Sequence, residues 1–161
     1  MAGDVKTYLN ILIDSSKKKI NVLNSIIDME EKQKKIFKTD LFDEDALSEN
    51  LKEKENLIAE LNILDAGFED VYDIIKDEVT TNPQNYADSI GELKQLIKDI
   101  VGKIVEVRAL EGENKTKAEE HFSKMRTRVK KSRMSKNVAS HYYKSASKLK
   151  NVDSQFIDKW K

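Results

Sequence analysis

The sequence predicts an all-α protein: an elongated antiparallel bundle of three long helices, at about 4–37, 45–79 and 89–130, with a basic, partly disordered C-terminal tail. Three observations predict it. Charged residues make up 36% and apolar residues 39% of the 161, with one proline and five glycines, a composition that favours long surface-rich helices over strands joined by turns. Apolar residues recur in steps of three and four along most of the chain, the mark of helices with one buried face. The clearest breaker, Thr80-Thr81-Asn82-Pro83-Gln84-Asn85, divides two of these stretches, because proline lacks an N–H and restricts the residue before it.

The first helix carries Val5, Leu9, Leu12, Ile13, Ile20, Leu23, Ile27 and Ile36 at helical spacing, with Ser16 filling one seam position. Lys17 to Lys19 and Lys32 to Lys35 fall mostly off that stripe and read as a solvated face. Thr39 to Asp45 is a connection, in which Asp43 or Asp45 is placed to cap the next helix by accepting backbone N–H bonds. The second helix aligns Leu47, Leu51, Leu57, Ile58, Leu61, Leu64, Phe68, Val71, Ile74 and Ile75. Its run Leu51-Lys52-Glu53-Lys54-Glu55 resembles an exposed, charge-paired face. Gly67 weakens a helix by about 1 kcal/mol relative to alanine and marks a candidate close crossing.

The strongest stripe opens the third helix. Ser89 and Glu92 have the spacing of a capping box, and behind them Ile90, Leu93, Ile97, Ile100, Ile104 and Val107 form the seam, widened by Leu96 and Val101. Leu110, Glu111, Gly112 and Asn114 then interrupt it, and Ala118, Phe122, Met125 and Val129 resume it sparsely on a basic background. From Lys130 onward serines alternate with lysines and lone apolar residues. Such a segment buries too little to order itself alone, so the expected division is a helical domain at 1–130 and a mobile basic tail at 131–161, ending in Phe156 and Trp160.

The net charge of zero conceals a division. Residues 1–112 hold 15 Lys/Arg against 24 Asp/Glu, and residues 113–161 hold 14 against 5, so the halves either attract each other or the tail meets an acidic partner. Without cysteine there is no disulfide and no cysteine-ligated metal. The start Met-Ala-Gly-Asp has no basic region ahead of an apolar run, and no stretch approaches the ~20 apolar residues of a membrane span. The expected location is the cytoplasm, with no membrane insertion.

Catalytic chemistry finds little to use. His121 and His141 belong to no His-Glu-x-x-His or Glu-x-x-His pattern and are expected to be exposed. Gly102-Lys103 lacks the remainder of a phosphate loop. The expectation is no enzyme, no cofactor, no metal and no small-molecule substrate. The basic run from Lys124 to Lys136, with Tyr142 and Tyr143 beyond it, could bind nucleic acid, but nothing resembles a recognition helix with its supporting turn.

Long helices with an amphipathic end suit a protein that holds another helix. Leu110, Phe122, Met125, Val129, Met134 and Val138 are the candidate anchors for a partner's apolar face, and methionine at such a surface adapts to varied partners. On Leu9, Leu12, Ile20, Leu23 and Ile27, on Leu47 and the phrase Leu51-Lys52-Glu53-Lys54-Glu55-Asn56-Leu57-Ile58-Ala59-Glu60-Leu61, and on the polar stretch at Glu111 and Asn114, the chain resembles the flagellar type III export chaperones of the FlgN type. The resemblance covers about Leu9 to Asn114. It implies a cytosolic, nucleotide-independent chaperone for the terminal helices of hook-associated (hook-filament junction) proteins, delivering them to the flagellar export gate, with Tyr142 or Tyr143 in the gate-docking role. The FliT type, which serves the filament cap, is a close relative of this reading. The alternatives are a coiled-coil adaptor assembling through the Ile90 to Val107 seam, for instance as a homodimer, and a basic nucleic-acid-binding module.

Overall fold

The computed structural model describes residues 2–128 and 137–149, and the side chains within them except at 2, 3, 127 and 128. Every regular element among them is helical: α1 Ala2–Lys38, α2 Glu44–Thr81, a 3-10 turn at Pro83–Tyr86, α3 Ala87–Arg128 and α4 at 137–149. No helix among the described residues is long and apolar enough to cross a membrane.

At 1.5 Å per residue the 37 residues of α1 span about 56 Å. α2 returns along it: Lys19 meets Asp65 at 2.6 Å, and the Asn50 amide donates to the Met29 carbonyl at 2.9 Å. α3 runs in the direction of α1, with Lys17 3.5 Å from Glu92 and Lys34 3.4 Å from Glu113. Asp43 is the residue that caps α2, in extended backbone, its carboxylate accepting the Ala46 N–H at 3.0 Å.

Two local expectations are corrected. Ser89 and Glu92 do not start a helix: Pro83 opens a 3-10 turn that runs directly into α3 at Ala87, so Ser89 already lies inside the first turn. Gly67 marks no crossing, since a methyl group there would meet open space.

The core falls into three apolar clusters along the bundle. At the end carrying the α2–α3 turn, Leu9, Leu12, Ile13, Phe68, Ile75, Tyr86 and Leu93 pack together. In the middle, Leu23, Ile26, Ile58, Leu61, Ile100, Ile104 and Val107 do so with Leu149 of α4. At the other end Leu47, Leu51, Ala118, Phe122 and Tyr142 close the bundle. Ser16 occupies its seam position by turning its hydroxyl back onto the Leu12 carbonyl at 2.8 Å. Burying a leucine or isoleucine contributes about 1.5–3 kcal/mol, so the seam of α3 from Leu93 to Val107 is committed to the interior of its own chain.

Part of the basic tail is helical and packed. Residues 137–149 form a helix whose Tyr142, Ser145 and Leu149 are buried. Those positions lie three and four apart, a stripe narrow enough to be lost among lysines and serines, and it gains a partner surface only from the assembled α1, α2 and α3.

Candidate functional site

The expected anchors divide in the structure. Phe122 and Tyr142 are fully packed inside the third cluster, while Met125 and Val138 pack against it from its margin, half-buried. Leu110 is also half-buried, directly before Glu111 on α3. Tyr143 is 37% exposed, with its ring centroid 5.5 Å from that of Tyr142 at 83°. Val129 and Met134 lie outside the described residues. So Phe122, Met125, Val138, Tyr142 and Tyr143 share one end of the bundle. Tyr142 is not a surface residue, because the slot between α2 and α3 takes its whole ring.

An aromatic collar surrounds this end. Phe37 closes α1, Phe42 lies in the connection, and Phe122 and Tyr142 come from α3 and α4. The Phe37 ring meets those of Tyr142 and Phe122 edge-on at 6.0 and 6.4 Å, an arrangement that favours aromatic quadrupoles. His121 lies with its centroid 3.9 Å from that of Phe42, and burial holds its pKa below the ordinary value, despite Glu44. The sequence predicts both histidines to be exposed. His121 is half-buried here, and His141 places Nε2 2.7 Å from Glu55. Leu41, in the same connection, is 87% exposed.

Beneath Tyr142 lies a polar floor. Lys54 is wholly buried, with Nζ 2.8 Å from both Glu30 Oε1 and Glu111 Oε2. Asn114 donates its amide to Glu30 Oε2 at 2.9 Å and to the Glu30 carbonyl at 2.8 Å. Gln33 and Asn50 are buried in α1 and α2, and the Tyr142 ring covers the lysine at 5.7 Å. The Tyr142 hydroxyl lies against the Glu111 carboxylate without reaching hydrogen-bond geometry.

One buried cation serving two carboxylates sets their protonation. Burial, the Glu111 hydrogen bond and repulsion from Glu111 raise Glu30 to about 8 against the pull of Lys54. Burial raises Glu111 too, but hydrogen bonds from Glu30 and Lys54 and the lysine charge bring it below its ordinary value. Burial lowers Lys54, and its two carboxylates more than reverse that. At neutral pH the floor therefore holds a charged Lys54–Glu111 pair beside a protonated Glu30, with no net buried charge. This arrangement ties α1, α2 and α3 together beneath the Tyr142 ring.

α4 is held on its α2 side by Glu55, which takes His141, the Ser145 hydroxyl at 3.1 Å and Lys148 at 3.8 Å. Burial works to raise the Glu55 pKa, but the hydrogen bonds from His141 and Ser145 bring it below its ordinary value. The run from Leu51 to Glu55 is thus no simple solvated face: Lys54 is core and Glu55 is the clasp of α4. No group of three or more His, Cys, Asp or Glu among the described residues is arranged to hold a metal ion.

Compared with protein families, curated proteins and solved structures, the chain has no match.

Proposed function

We propose that this protein is a cytosolic, non-enzymatic export chaperone, and that its elongated antiparallel bundle holds the terminal helices of flagellar hook-associated proteins for delivery to the type III export gate. The observation that carries the reading is the gathering of Phe122, Met125, Val138 and Tyr142 at one end, with Met125 and Val138 half-exposed beside Tyr143. An amphipathic helix laid there would bury its apolar face against residues already half out of water. The likeness of Leu9 to Asn114 to FlgN-type chaperones names the class of substrate, and Tyr143, the more accessible of the two tyrosines, is the one we assign to gate docking.

The test is fluorescence anisotropy of a labelled terminal helix from a hook-filament junction protein, titrated with the full chain. Saturable binding is expected, with loss in the double variant Met125→Asp, Val138→Asp while circular dichroism keeps its helical signal. Absence of binding, or binding the variant leaves unchanged, overturns the proposal. Binding of nucleic acid that falls steeply with log salt would favour the basic segment as the functional one.

A further inference from the structure

The outward side of α2 carries apolar residues that its own bundle does not use. Ile58, Leu61, Phe68 and Ile75 bury one side of this helix. At 3.6 residues per turn Ile63 and Ile74 stand on the opposite side, where they are 73% and 63% exposed. One exposed apolar side chain is ordinary. These two are eleven residues apart, three turns or about 16 Å along the helix, so they point the same way. Between them lies Gly67, over which a methyl group would meet open space. Glycine weakens a helix interior, and no described residue packs closely enough to require it; a second helix approaching between the isoleucines would. The flanks are acidic. Residues 59–79 hold seven Asp/Glu against one Lys/Arg, and the ion pairs Lys19–Asp65 and Lys76–Asp73 use none of Glu60, Asp70 and Asp77, which are exposed and each three or four residues from an isoleucine.

We propose that this side of α2 is a docking surface for a basic amphipathic helix of a partner protein, with Ile63 and Ile74 packing on the partner's apolar stripe and Glu60, Asp70 and Asp77 facing Lys or Arg on its flanks. The charge selects this occupant. A second copy of the same face, laid antiparallel so that Ile63 meets Ile74, sets Glu60 against Asp77 and is repelled. The same carboxylates repel an anionic bilayer surface. The chain's own basic stretch of α3, around Lys117, Lys124 and Arg126, lies at the other end of the bundle, where Ala118 and Phe122 meet Leu47 and Leu51. The surface is thus separate from the Phe122 and Met125 end and does not depend on the function proposed for it.

The probe is a fluorescently labelled synthetic helix with leucine at every a and d position and lysine on both flanks, titrated with the full chain. One control peptide has glutamate in place of lysine, and another keeps the lysines with the leucines scrambled. Saturable binding is expected for the first peptide alone. Ile63→Ser with Ile74→Ser, at positions the fold leaves exposed, should keep the circular dichroism unchanged and weaken binding about ten-fold or more. Glu60→Gln with Asp70→Asn and Asp77→Asn should weaken it several-fold and reduce its salt dependence. Met125→Asp with Val138→Asp should leave it unchanged, because those residues belong to the opposite end. Absence of binding overturns the proposal, as does binding that ignores the leucine stripe or that the isoleucine variant does not weaken. Sedimentation of the parent alone is expected to show no association that the isoleucine variant removes; such association assigns the face to a second copy of the chain and overturns the proposal equally.

Discussion

Lys54 on α2 holds its ammonium 5.7 Å from the ring centroid of Tyr142 on α4 while paired at 2.8 Å with Glu30 on α1 and with Glu111 on α3. One side chain thus touches the other three helices. The contact with Tyr142 is the weakest of these, since a cation over an aromatic face contributes about 0.5–2 kcal/mol, and a lysine engaged with two carboxylates has less to offer a ring. The contacts of Lys54 with the Glu30 carboxyl and the Glu111 carboxylate tie α1, α2 and α3 together, and α4 is laid over them.

Removing the cation alone should therefore be costly. Lys54→Met leaves Glu111 buried without its counter-charge, and breaking one side of a buried pair costs about 3–5 kcal/mol. Replacing Glu30, Lys54 and Glu111 together by Gln, Met and Gln should recover most of that loss, because no buried charge remains. Urea denaturation of the single and triple variants decides it: a single variant within about 1 kcal/mol of the parent would mean that the lysine carries no structural charge.

The same floor makes stability fall on the alkaline side. Glu30 is raised from 4.5 to about 8 in the folded state, so between those values the folded protein keeps a proton that the unfolded chain has released. Its stabilising contribution is whole below 4.5, declines as pH rises and is absent above about 8. Glu111 is shifted the other way, so its contribution stands above 4.5 and is lost as pH falls through its folded value. Glu30→Gln, which cannot titrate, should remove the alkaline decline. The stability difference between parent and variant, followed from pH 5 to 8, should drift steadily in the variant's favour, and a flat difference would sink the assignment.

Much of this architecture could be read from periodicity, and what could not shares one cause. Leu9, Leu12, Leu23, Leu47, Leu51, Ile100 and Ile104 are buried where their spacing put them, and Asp43 caps where a short acceptor before an apolar run should. Lys54, Glu111 and Asn114 occupy seam positions as well: Lys54 sits between Leu51 and Ile58, and Glu111 and Asn114 follow Ile104 and Val107 in steps of four and three. Their polarity made them look like interruptions. A polar residue at a seam position on one helix is uninformative, but opposite charges at seam positions on three helices are a signal for a buried network. Tyr142 was misplaced for a different reason, since burial of a tail residue depends on a slot that exists only after the other helices have assembled.

Tyr142 separates the packing of α4 from its polar contacts. Its hydroxyl lacks a protein partner in hydrogen-bond geometry, and burial with repulsion from Glu111 and Glu30 pushes its ionisation well above the ordinary range. Tyr142→Phe should change stability by less than about 1 kcal/mol, because the lost group makes no bond that must be broken. Tyr142→Ala removes the ring from between Phe37, Phe122 and Lys54 and should cost about 3–5 kcal/mol. Equal effects of the two substitutions would show that the hydroxyl, not the ring, seats α4.

Glu55 offers a gentler way to loosen the same helix. It accepts from Ser145 and lies 2.7 Å from His141, but its side chain is 27% exposed, so solvent screening reduces what these contacts contribute. Glu55→Ala is expected to cost under about 1.5 kcal/mol. The loss should be local: amides within 137–149 should exchange faster with solvent while those around Leu23, Ile58 and Ile104 keep their protection. Because the Glu55 pKa is lowered in the folded state, its clasp holds above its unfolded value and releases as pH falls through the folded one. Parent protein at acidic pH should then show the exchange pattern of Glu55→Ala at neutral pH. Uniform acceleration across all four helices in the variant would mean that α4 unfolds only with the whole bundle.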